Sequence, residues 1–385
     1  MGLHSDCRGL PITAASREAV QHYDEAVSAY LRFGRDTGPH LKASRQADPE
    51  LVMGHCTKGY FFQLFCNSAL AKRARSSLEA ARTAAEKHNA STREHAHIAA
   101  LAAWCDRDLR TATAQWEHIL LEHPRDVLAL RLAHFTHFYL GSNRQLRDSV
   151  ARALYAWDEQ VPDYGYVLGV YAFGLEESGD LARAELTGRR AVELNPTDIW
   201  AVHAAAHVME MQGRHREGVG WLQDTEAGWR NANNFAYHVW WHRCLFHWEL
   251  EQYDEVLALY DQRVRADQES DDYLDISNAA SLLWRLESAG VDVGERWSEL
   301  AEKAVARVDD HVLVFADAHF MMTLAATGRD SAARQMLASM GDAARTAGTE
   351  AAIFADVGLP LCEALWSYRR GDYDKAVDLL LPIRY

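Results

Sequence analysis

Apolar residues recur along this 385-residue chain at the i, i+3, i+4, i+7 spacing of a buried helix face, almost from end to end. Alternating β-branched runs are nearly absent, and proline is scarce, with 8 residues. Alanine, leucine, glutamate and arginine dominate, all good helix formers. The pattern predicts an all-α protein. Residues 1–48 read as an N-terminal leader or cap containing one amphipathic segment, Glu18 to Arg32.

Repetition says which kind of all-α protein is expected. The segments Glu176–Ala184, Met211–Gly218, Ala326–Ala333 and Arg370–Ala376 share one form. Each has a helix end, a glycine turn, a polar residue or two, and a second helix with a small residue where the two would pack. Gly179 and Gly213 stand 34 residues apart, the tetratricopeptide period. Asn195-Pro196 and His123-Pro124 close two units at the same phase, because proline starts a helix well but cannot continue one.

On this register residues 49–385 form a repeat array of about eight or nine helix pairs, beginning near residues 50, 93, 127, 165, 199, 237, 271, 314 and 357. The 271–307 pair departs from the consensus through a longer turn, Ala289 to Gly294. No Gly/Ser or Pro linker interrupts the chain. The expectation is one right-handed superhelical solenoid whose first helices line a concave groove. The sequence stops after Leu381-Pro382-Ile383-Arg384-Tyr385 with no polar capping helix, so either a further tail or a homo-oligomeric contact is expected to cover this end.

Composition narrows the partners. A hydrophobic content of 48% with 25% charged residues fits a folded chain. The net charge of −15, with no basic block, argues against nucleic acid and anionic membranes. Six scattered cysteines form no C-x-x-C pair, which points to a reducing cytoplasm rather than a disulfide framework or thiolate zinc site. Asp6 and Arg8 stand where a signal peptide would be apolar. No apolar run approaches the roughly 18 residues a membrane span needs.

The chemistry concentrates in Trp200 to Glu210. His203, His207 and Glu210 fall at i, i+4 and i+7, on one stripe of a helix. His238 and His242 repeat the i, i+4 spacing in the next first helix. Counting from the repeat glycine, His203, His207 and Glu210 face the groove, as do His97, Arg131, Phe135, Phe138, Tyr139, Tyr166, Phe173, Glu176, His238 and Trp241. His242 falls at the groove margin and His247 on the opposite, structural face. Such a wall lacks the lysine–arginine–asparagine clamp that grips peptide carboxylates, and it suits a small-molecule pocket.

Asp275 with Asn278, and Asp317 with Met321, share groove-facing positions, and His319 lies near the margin. They would either close the pocket or act as buried caps. Trp240, Trp241 and Trp248 fit a core cluster. A single helical histidine is ordinarily a packing residue, so the case rests on the group. The H-x-x-x-H spacing lacks the glutamate of the zinc-protease helix, and no G-x-S-x-G, phosphate loop or G-x-G-x-x-G in strand context is present.

Several strings exceed what a generic repeat demands. They are Ala47-Asp48-Pro49 with Val52-Met53-Gly54-His55, Leu146 to Arg152, and Asn195-Pro196-Thr197-Asp198 leading to His203, His207 and Glu210. His238 through His242, Asp317-Ala318-His319-Phe320, Gly358 to Cys362 and Leu379 to Tyr385 complete the set. In these strings the chain resembles the tetratricopeptide repeat protein 38 family. The resemblance implies a helix-pair solenoid and, through bacterial relatives in natural-product gene clusters, an oxidative tailoring role. It also implies that family chains continue past the point where this one ends.

Two functions follow. In the first, a small-molecule enzyme of oxygenase or hydrolase class uses His203, His207, His238 and Glu210 as ligands to iron, zinc or manganese, or as metal-free acid–base groups. His242 assists, while Arg131, Tyr139, Tyr166, Trp241, Asp275, Asp317 and His319 position substrate. In the second, the groove binds a peptide or partner protein without catalysis, which fold analogy alone suggests.

Overall fold

The computed structural model describes residues 2–384. Met1 and Tyr385, the last residue of the closing Leu379–Tyr385 string, lie outside the described residues. The chain opens with an antiparallel hairpin, β1 (Gly2–Ser5) and β2 (Pro11–Ala14), pairing Leu3 with Thr13 and His4 with Ile12. Strands of four residues offer too few alternating positions to stand out in a helical sequence. Asp6 shapes the turn, its Oδ1 accepting from the backbone N–H of Arg8 and of Leu10 at 2.9 Å. Next come α1 (Arg17–Leu31), capped by the Ser16 hydroxyl, and α2 (Thr37–Ala47).

Helix pairs then follow in order. They are α3 (Val52–Leu64) with α4 (Ser68–His88), α5 (Thr92–Cys105) with α6 (Leu109–Glu122), and α7 (Val127–Tyr139) with α8 (Asn143–Ala153). After these come α9 (Tyr164–Glu177) with α10 (Leu181–Leu194), α11 (Ile199–Met211) with α12 (His215–Trp229), and α13 (Phe235–Glu249) with α14 (Tyr253–Leu259). The last are α15 (Tyr273–Ser288) with α16 (Trp297–Ala306), α17 (Val314–Ala326) with α18 (Asp330–Ala344), and α19 (Thr349–Ile353) running through a π-turn into α20 (Leu359–Arg369), paired with α21 (Tyr373–Leu380). From α3 to α17 the first helices begin within two residues of the periodic expectation.

The two kinds of helix differ in burial for a reason readable in composition. In α11 every residue from Ile199 to Ala206 is buried, whereas α10 buries only Ala184, Gly188 and Ala191. A first helix lies between its own partner and the neighbouring pairs and is apolar all round; a second helix has one solvated face. Small residues allow the close approach. A Cβ on Gly228 of α12 would fall 1.9 Å from the Pro196 carbonyl oxygen, so that turn and that helix touch backbone to backbone. Gly179, at φ +82°, terminates α9 in the left-handed conformation that glycine adopts without a steric penalty.

Two compact units emerge: residues through Leu64 with Ala71–Val239, and Phe65–Leu70 with the chain from Trp240 onward. The N-terminal hairpin, α1 and α2 therefore belong to the first unit. Helix α13 contributes Phe235 to Val239 to the first unit and its remainder to the second. Each unit is a stack of helix pairs, and the first also carries the β1–β2 hairpin.

Candidate functional site

In the first unit the groove-facing positions of α7, α9, α11 and the start of α13 form a continuous aromatic and imidazole face. Asp198 caps α11, its Oδ1 accepting from Ala201 N–H at 3.0 Å, and this cap sets the phase of the helix. His203, buried, then lies with Nε2 3.1 Å from Nε2 of His238. Phe173 stacks on the His203 ring at 5.4 Å, and Trp200 and Phe235 flank it at 5.2 and 5.3 Å. The His207 ring meets His203 edge-on at 4.2 Å. His207 is the more exposed of the two, and its Nδ1 lies 3.3 Å from Oε2 of the buried Glu176.

Glu176 and Glu177 approach His207 closely enough for one donor atom from each to share a cation. Burial and the neighbouring Glu176 raise the pKa of Glu177 above the usual carboxylate range. Glu210 is half-buried one turn beyond His207. Glu176 stands 34 residues before Glu210, at the same place in the preceding repeat, and that spacing is the sequence signal for it.

Arg131 occupies in α7 the position that His203 holds in α11 and is almost wholly buried. Its guanidinium carbon lies 4.1 Å from the Trp200 ring centre, 4.4 Å from Phe135 and 5.1 Å from Phe33. None of its three nitrogens has a hydrogen-bond partner. Burial pushes its pKa down to about 10. Asp198 Oδ2 is likewise unpartnered, and desolvation lifts the carboxyl to about 7. Arg131 is thus sealed beneath rings. Tyr139 stacks on Phe135 at 6.4 Å, and Tyr166 Oη lies 3.3 Å from Thr197 Oγ1, with burial raising the phenol pKa.

Phe33, in the turn between α1 and α2, has no forewarning in local sequence. Its backbone has φ +57°, an unusual conformation for a bulky residue. Long-range contacts hold it there. The ring stacks on Phe235 at 4.3 Å and on Trp200 at 5.9 Å, and its carbonyl accepts from Asn233 N–H at 2.7 Å. Arg35 Nε donates to the Ala232 carbonyl at 3.0 Å.

His97, expected in the groove, is instead a completed core residue. Its Nε2 lies 3.0 Å from Asp126 Oδ2 and its Nδ1 3.1 Å from Tyr60 Oη. Arg93 Nε donates to the same Asp126 oxygen at 2.6 Å, and these cations hold the Asp126 carboxyl far below its ordinary pKa despite burial.

The remaining candidates lie in the second unit. His242 is buried, with its ring edge-on to Trp241 at 4.9 Å; Trp241 Nε1 donates to Ser281 Oγ at 2.9 Å. Asp275 accepts from Ser270 Oγ at 2.6 Å, and Asn278 is buried nearby on α15. Asp317 lies 3.3 Å from His311 Nδ1, and burial raises its pKa. His319 Nδ1 donates to the Phe315 carbonyl at 2.7 Å, while desolvation lowers its pKa to about 4. His247 Nδ1 lies 2.7 Å from Gln252 Oε1, which fits a structural role.

Fold and face together define the class: an all-α protein of tetratricopeptide-type helix pairs. No family model matches the chain. Among solved structures it is similar to a human IFIT1 dimer with PPP-AAAA, at 12% identity and TM-score 0.42, covering 94% of this chain and 88% of that one. It is also similar to Naa15/Naa10 bound to HypK-THB, at 13% identity and TM-score 0.27, covering 96% and 63%. The P58(IPK) TPR domain matches at 13% identity and TM-score 0.23, covering 83% and 89%. No described helix is long and apolar enough to cross a membrane.

Proposed function

We propose that this chain is a non-catalytic binding protein that holds a peptide segment of a partner protein against the α7–α9–α11 face of its first unit. The docking of Phe33 carries this reading. That face accepts an aromatic side chain from a distant segment, stacks it on Trp200 and Phe235, and fixes the backbone through Asn233. The same chemistry serves a partner segment laid beside it. Exposed Phe138 and Met211, with half-buried His207 and Glu177, offer the adjoining surface. An aromatic or aliphatic anchor followed by a basic residue facing Glu176 and Glu177 is the complementary peptide. Membership of the tetratricopeptide repeat protein 38 family is part of this proposal and rests on the sequence strings alone; the binding reading replaces the oxidative role that the resemblance implies.

Selection from a random peptide library against the full-length protein tests the proposal. Enriched peptides are expected to combine an anchor with a basic residue, and Phe138→Ala with Met211→Ala should weaken them at least about tenfold. Selection that yields no consensus, or peptides indifferent to both substitutions, would overturn it.

A second reading, small-molecule chemistry at His203, His207 and His238, is favoured by one observation: the 3.1 Å approach of two imidazole nitrogens. Two rings so close either share a proton or coordinate a common cation such as iron, zinc or manganese, with Glu210 as a further carboxylate. Stoichiometric metal lost in a His203→Ala, His207→Ala variant would support the metal form. An acid–base form needs a turnover that the same variant abolishes.

A further inference from the structure

We propose a metal site in the N-terminal segment, formed by His22, Glu25 and His40 and suited to a divalent transition metal of the zinc type. His22 and Glu25 lie one turn apart on α1, and His40 reaches across from α2. Both Nδ1 atoms point at one oxygen: His22 Nδ1 and His40 Nδ1 each lie 3.0 Å from Glu25 Oε2. The three donor atoms fall within 4.8 Å of one another. Ligands held about 2.0–2.2 Å from a tetrahedral zinc ion stand at similar mutual separations, so occupation needs only small side-chain rotations.

The donor set is two imidazoles and one carboxylate, which zinc accepts with a fourth position open to water. Residues around the cluster also suit a metal. His40 Nε2 lies 3.3 Å from Asp36 Oδ2, so with Nδ1 on the metal the ring's remaining N–H donates to a carboxylate. That relay fixes tautomer and orientation in metal-bound histidines. Asp36 is itself held by the Arg32 guanidinium. All three ligands are about one-third exposed, and Glu25 and His40 line a cavity of about 400 Å³ together with Asp24 and Ser28. A metal therefore has a path in. The site would clamp α1 to α2 on either side of the turn that carries Phe33, so metal occupancy and the seating of Phe33 are coupled.

Chelator-stripped full-length protein, titrated with Zn²⁺ against a chromophoric competitor and separately with Co²⁺, tests the site. The wild type is expected to bind Zn²⁺ here and to give the intense visible Co²⁺ absorption of a four- or five-coordinate complex. His22→Gln with His40→Gln should remove one equivalent, or weaken it at least about 100-fold, with helical circular dichroism unchanged. Asp36→Asn should weaken it about tenfold. An unchanged equivalent and affinity in the double variant would overturn the proposal. So would a wild-type Co²⁺ spectrum no stronger than that of the hexaaqua ion, a result that does not depend on any variant folding.

Discussion

Two buried histidines on first helices of one unit, His97 on α5 and His203 on α11, show how differently a repeat can use the same inward direction. Both ring nitrogens of His97 are matched: one faces Asp126, the other Tyr60, and Arg93 balances the aspartate. Around His203 a ring nitrogen faces another histidine, and the walls are Phe173, Trp200 and Phe235. The capping aspartates repeat the contrast. Asp126 is held ionised by its cations, whereas Asp198, at the same cap two repeats later, keeps an unpartnered oxygen and a raised pKa. The first arrangement serves folding. The second brings two imidazoles together among aromatic rings.

The sharpest break of this contrast is Asp126→Ala. It strands Arg93 and His97 in the core, and leaving a buried charge without its partner costs about 3–5 kcal/mol. Denaturant unfolding should show the loss, with hydrogen exchange placing it in α5 and α7; a cost below about 1 kcal/mol would mean the network is dispensable. Next in size is Phe33→Ala, expected to cost about 2 kcal/mol through lost ring contacts. It should also deprotect α1 and α2 in exchange experiments while leaving α5 unaffected.

An effect of opposite sign is expected at Asp198. Its folded pKa of about 7 exceeds the ordinary 3.8, so between those values the folded state binds more protons than the unfolded state. Stability should therefore fall as pH rises through that window, and Asp198→Asn should flatten the fall. Asp126 has the reverse sign: its stabilisation is present above the ordinary aspartate pKa and is lost on further acidification. The smallest effect belongs to His203→Phe. By removing one partner from His238 it should cost about 1 kcal/mol, while His97→Phe, which leaves both Asp126 and Tyr60 unmatched, costs clearly more. Equal costs at the two positions would erase the distinction.

Helix periods and glycine turns act over a few residues, which is why the starts of α7, α11 and α17 and the turn at Gly179 were legible in sequence. Convergence of His203, His207 and His238 was legible too, because repeat spacing carries them to one face. What escaped was long-range. Nothing around Phe33 announces that it crosses to Trp200 and Phe235, and once it does, Arg131 is covered rather than presented. The partners that make His97 structural come from α3 and the α7 cap, outside any window on its own helix. His22, Glu25 and His40 meet because α2 folds back on α1, a geometry that no repeat period encodes.

The seating of Phe33 also has a temporal side. The ribosome finishes this residue about two hundred positions before Phe235, its stacking partner. At ordinary elongation rates that is a delay of roughly 10 to 40 s. Throughout it the Phe33 ring has no permanent berth, so this turn settles later than the hairpin and helices beside it, whose partners Glu94 and Arg93 are made sooner. A nascent chain paused before Trp200 should leave that turn open to proteases and chaperones.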